Sequence, residues 1–89
     1  MKLILNSITH RSCPVELREK VSLSPEQRRR LLRQMHAEED ISEAAILETC
    51  NRFEVYGHVS KSFDMGQYIR RGLGEFDPQK ANVWAERQQ

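Results

Sequence analysis

Eighty-nine residues, 38% of them apolar and 30% charged, describe one small soluble globular domain with a thin core. A net charge of +1 is too close to neutrality for a dedicated nucleic-acid-binding module, so any RNA contact has to be local. No apolar run nears the roughly 20 residues of a membrane helix, and the amino terminus lacks a signal-peptide h-region, so a cytoplasmic chain with no membrane contact and no structural disulfide is expected.

Residues 2–9, KLILNSIT, alternate with Leu3 and Leu5 on one side and Ile4, Asn6 and Ile8 on the other, as a strand does. Pro14 suits a first helical turn, and VELREK continues it as a short helix. The clearest helix is SLSPEQRRRLLRQMHAEED. Ser24 is its N-cap, Pro25 its first residue, and Gln27 completes a capping box. Leu31, Leu32 and Met35 share one face of it. The arginines of QRRRLLRQ cover the rest and read as a solvated face or as a local contact to RNA phosphates.

ISEAAILET is a second strand and FEVYGHV a third. The third places Phe53, Val55 and Val59 on one face, with Glu54, Tyr56 and His58 on the other. Only Cys50, Asn51 and Arg52 separate the two runs, which permits an antiparallel hairpin; a wider separation with another strand between them stays open. SFDMGQYIRRGLGEF is a second long helix, with Asp64 as N-cap and Gln67 three residues on. After Asp77-Pro78, KANVWAE is expected to be a last short strand, with Trp84 and Tyr68 as core or contact residues. The order β-α-β-β-α-β predicts an α+β, ferredoxin-like two-layer sandwich, an antiparallel sheet with helices on one face, spanning 1–89 as a single domain.

The chemistry concentrates in ETCNRFEVYG, where Cys50, Asn51 and Arg52 stand between two apolar runs. The thiolate is the nucleophilic form of cysteine, and a thiol of ordinary pKa, about 8.5, is only a few per cent ionised at pH 7. A neighbouring cation favours the charged form. On an extended backbone Arg52 shares a side with Cys50, so it is placed to favour the thiolate or to hold an anionic substrate. Guanidinium grips a carboxylate through two parallel hydrogen bonds, fixing orientation as well as charge. Equally, Cys50 reads as a small buried hydrophobe and Arg52 as a surface residue. The two cysteines belong to no zinc-spaced Cys/His group.

Two segments carry a resemblance. THRSCPVELREKVSLSPE, Thr9 to Glu26, is similar to the opening N-H-K-T-A-P-V-x-L-R-E segment of the glutamyl-tRNA reductase family. LETCNRFEVYG is similar to its L-S-T-C-N-R-T-E-x-Y segment. Their mutual spacing and their distance from the amino terminus agree as well, and the similarity thins from Lys61 on. The chain thus resembles the N-terminal catalytic domain of the enzymes that open tetrapyrrole synthesis.

The resemblance implies a role for each matching residue. Cys50 matches the nucleophile that attacks the ester carbonyl of glutamyl-tRNA, forms a thioester and releases tRNA; NADPH then reduces the thioester to glutamate-1-semialdehyde. Arg52 matches the arginine that recognises the substrate glutamate. Thr49 and Asn51 match the flanking residues that shape the pocket. His10 matches the histidine of the first motif, with either a hydrogen bond to substrate or a structural role at the strand end. Glu48 stands where the family has Ser, and a carboxylate on the thiol's side would oppose its ionisation. Cys13 stands near an Ala of the motif and reads as packing.

The family's NADPH-binding domain, its dimerisation domain and the acid/base histidine at the start of its connecting helix have no counterpart in these 89 residues, and no GxGxxG follows a strand. The chain alone is therefore expected to bind no NADPH, to reduce nothing, and to be monomeric or weakly self-associating, whereas the complete enzyme is a homodimer. Two readings from other classes stand beside this one. One is a silent module that binds tRNA or protein. The other is a regulatory domain that binds a small acid at Arg52.

Overall fold

The computed structural model describes residues 1–9, 11 and 13–87. The elements run β1 (Lys2–Thr9), α1 (Val15–Val21), α2 (Pro25–Ala37), β2 (Ile41–Glu48), β3 (Arg52–Val59), α3 (Met65–Phe76) and α4 (Pro78–Arg87). The three strands form one antiparallel sheet in the order β1-β3-β2. Register pairs Ile8 with Phe53 and Asn6 with Val55 on one side of β3, and Ile46 with Val55 and Glu48 with Phe53 on the other.

Period-two alternation decides which face is covered. Ile8, Phe53, Val55 and Val59 point into the core, where they meet Leu31 and Met35 of α2, Ile69 and Leu73 of α3, and Trp84 of α4. Leu3, Leu5 and Leu47 occupy the opposite face and are exposed. All four helices therefore contribute to a single layer on one side of the sheet.

The helix starts follow their caps. Ser24 accepts from the Gln27 N–H while the Gln27 side chain accepts from the Ser24 N–H, closing the expected capping box. Asp64 accepts from the Gln67 N–H at 3.0 Å. Gly72, buried in α3, lets α2 approach closely: a Cβ there would stand 2.8 Å from Leu31 Cδ1.

The segment expected as a fourth strand is helical. Asp77 accepts from the Gln79 N–H at 2.9 Å, and Pro78 follows as the first helical residue, a start signal the strand reading overlooked. Burial explains the outcome. Val83 and Trp84, adjacent in sequence, are both buried in the core cluster. A helix puts both on one stripe. The α+β class and the one-sided helix layer stand; the fourth strand that a ferredoxin-like sheet requires is absent among the described residues. No helix among them is long and apolar enough to cross a membrane.

Candidate functional site

Between the two hairpin readings, the structure shows adjacent antiparallel strands. Thr49 N–H donates to the Arg52 carbonyl at 2.9 Å, leaving Cys50 and Asn51 as the two residues of the turn. Thr49 Oγ1 accepts from the Asn51 N–H at 3.2 Å, stiffening that turn from within. Strand parity consequently does not relate Cys50 to Arg52, because Cys50 is not in a strand. Both nevertheless line one open cleft of about 240 Å³, smaller than the roughly 300–1,000 Å³ of drug-sized sites. The hairpin supplies Thr49, Cys50 and Arg52 to one wall, α1 supplies Arg18 and Glu19 to another, and Ile8 and Phe53 lie beneath. Cys50 is exposed, whereas Cys13 is buried. Burial pushes the Cys13 thiol above its ordinary value, with Arg87 and Arg18 pulling weakly the other way.

Arg52 is not idle. Its Nη1 donates to Glu54 Oε1 at 3.4 Å, and the Tyr56 hydroxyl donates to the same oxygen at 3.1 Å. Glu54 is buried under these partners, and the bond to it raises the Tyr56 hydroxyl pKa above its ordinary value. Arg52, with about half its side chain in solvent (49%), holds Glu54 loosely, and a long, solvated ion pair of that kind is worth little.

Glu48, the residue that departs from the family pattern, is neutralised in place. Its carboxylate accepts from the Leu23 N–H at 3.2 Å and from Arg28 Nη1 at 3.0 Å. It faces the α1–α2 junction and is paired with a cation. Arg28 also donates to the Leu23 carbonyl at 3.0 Å, so this member of the arginine run is a structural clamp. Arg30 lies 5.8 Å from the Phe76 ring centroid, within cation–π range.

Sequence reasoning missed Arg18. A signal was available: Leu17 and Val21, four residues apart, pack on the core, so α1 must lie along the sheet with its neighbouring residues at the rim. His10 lies outside the described residues. No group of three or more His, Cys, Asp or Glu side chains able to hold a metal occurs among the described residues. Gly57 lies inside β3, and Gly66, Gly72 and Gly74 lie inside α3, so no glycine opens a strand-to-helix turn among the described residues.

Comparison with known proteins matches residues 7–88 to the family described as glutamyl-tRNAGlu reductase, N-terminal domain. The chain is 34% identical over 76 residues to a glutamyl-tRNA reductase of Geobacter sulfurreducens, covering 85% of the chain and 18% of the relative. It is 40% identical over 76 residues to one from Aliivibrio fischeri, with the same coverage of 85% and 18%. It is 50% identical over 56 residues to one from Pseudoalteromonas translucida, covering 63% of the chain and 13% of the relative. The chain spans less than a fifth of the length of these relatives. With the TCNR turn, the α1 wall and the match over residues 7–88 in agreement, the chain belongs to the glutamyl-tRNA reductase N-terminal domain family.

Proposed function

We propose that this domain binds glutamyl-tRNA and accepts its glutamyl group on Cys50, the acyl-transfer half of the glutamyl-tRNA reductase reaction in tetrapyrrole biosynthesis. The observation that carries the proposal is the exposed thiol on a two-residue turn, in a cleft that also holds Arg52. In this reading the Cys50 thiolate forms a bond to the ester carbonyl carbon. The carbon–oxygen bond to the terminal ribose then breaks, and the ribose oxygen takes up a proton from water. Arg52 exchanges its long contact with Glu54 for the substrate carboxylate, which orients the carbonyl toward sulfur. Thr49 and Asn51 keep the turn in shape. His10 is proposed to hydrogen-bond the substrate. In this reading the domain's own chemistry ends at the thioester. The NADPH-dependent reduction to glutamate-1-semialdehyde belongs in this reading to the complete, homodimeric enzyme.

Thiol labelling tests the proposal. Cys50 should react with iodoacetamide far faster than Cys13, and a glutamate ester analogue should protect it. Equal, slow labelling of both cysteines, or fast labelling without protection, would favour a module that binds tRNA or protein without acyl transfer.

A further inference from the structure

Arg18 presents a problem the acyl-transfer reading leaves unsolved. Its Nε and Nη1 are shielded from solvent and have no hydrogen-bond partner among the described residues. Guanidinium carries five donors and no acceptor. Burying donors without partners costs free energy that a folded chain normally avoids, and an exception asks for an explanation. The two carboxylates nearest in the cleft's lining do not supply one: Glu48 is engaged by Arg28 and the Leu23 N–H, and Glu19, on the same wall, makes no ion pair with Arg18. The other cleft arginine, Arg52, is already in contact with Glu54. Arg18 is therefore the cation of the cleft whose protein partner is missing, and it faces the exposed thiol's cavity from α1.

We propose that Arg18 is a second anion-reading residue of the Cys50 cleft, taking the carboxylate of the acyl group about to be transferred. The proposal deepens the proposed function and rests on it for the identity of that acyl group. Taking a carboxylate requires the shielded fork to turn into the cleft, where it can meet the ligand with two parallel bonds. The helix that carries it is fixed in place, because Leu17 and Val21 anchor α1 to the core. With Arg18 on one wall and Arg52 on the other, the cleft selects an acidic acyl group over its amide. A site built around a charged group rejects the neutral analogue strongly, because its own donors are then left unmet.

Two reagents of nearly equal size, iodoacetate and iodoacetamide, differ in that charge and alkylate the same sulfur. The experiment compares their rates at Cys50 of the 89-residue chain, at fixed pH and salt, in the unsubstituted protein and in R18Q, R18M, R18K and R52Q. Cys13 serves as internal control. The iodoacetate-to-iodoacetamide ratio should fall about tenfold in R18Q and R18M, the equivalent of roughly 1.4 kcal/mol, with the iodoacetamide rate little changed. R18M keeps the aliphatic stem that packs on α1's surroundings, so it reports on charge even where R18Q perturbs the fold. R18K, which keeps the charge and loses the fork, should lower the ratio by a smaller factor. An unchanged ratio in folded R18M, or a fall in R52Q alone, would overturn the assignment. A fall in R18M in a chain that glutamyl-tRNA does not acylate would uphold the anion site and overturn only the acyl-transfer reading.

Discussion

Arg28 Nη1 lies 3.0 Å from Glu48 Oε1 and 3.0 Å from the Leu23 carbonyl, so the first turn of α2 holds the last residue of β2, two positions before Cys50. The Glu48 side chain is only 11% exposed, and removing its cation leaves a largely buried carboxylate short of a partner. R28A should cost about 1–3 kcal/mol, measured by urea unfolding. Because the two residues share one network, R28A/E48A should cost less than the sum of the single changes.

Trp84 is fully buried, packs edge-on against Phe53 with centroids 5.9 Å apart, and donates from Nε1 to the Gly66 carbonyl at 2.9 Å. It fastens α4 both to the sheet below the cleft and to α3. W84A should cost about 3–5 kcal/mol. W84F keeps most of the packing and loses the donor, so about 1–2 kcal/mol is expected. Thermal unfolding monitored by circular dichroism distinguishes the two.

Gly57 sits in the central strand beneath Met65. A Cβ at this position would overlap Met65 Sδ and stand 3.2 Å from Val59 Cγ1. Both neighbours are buried, so repacking has little room, and G57A should destabilise the chain by about 1–3 kcal/mol. A loss within error of zero in a urea titration would show that Met65 moves aside freely.

Cys13 titrates above its ordinary value of 9.0 because it is buried. A raised folded-state pKa means that the unfolded chain loses this proton first. The stability it contributes is full below pH 9.0 and is lost as pH rises through that value toward the folded pKa. Tyr68, raised chiefly by burial, and Tyr56, raised by its bond to Glu54, extend the decline above pH 10.0. C13A should therefore flatten the first part of the alkaline fall in stability and leave the later part. The same fall in both chains would contradict this assignment.

Much of the fold was legible because local chemistry and burial agree. The Ser24–Gln27 box, the Asp64 cap and the alternation of FEVYGHV each point to the element that forms. KANVWAE misled because a short run with Val83 and Trp84 side by side satisfies no single period, and the Asp77-Pro78 start signal had to outweigh it. The reactive turn was legible through its residues but not its geometry: parity placed Cys50 beside Arg52 on a strand, whereas a tight turn and a shared cleft bring them together. Arg18 and Arg28 were the hardest to place. Their surroundings lie on other elements, and no local pattern distinguishes an arginine that clamps a strand end from one on a solvated face.

Incubating the chain with glutamyl-tRNA, quenching in acid and measuring intact mass tests the reading of Cys50 most directly. The account predicts a hydroxylamine-sensitive adduct of one glutamyl group, mapped to Cys50, absent from C50S and undiminished in C13A. No adduct on a folded chain, or an adduct that persists in C50S, would contradict it.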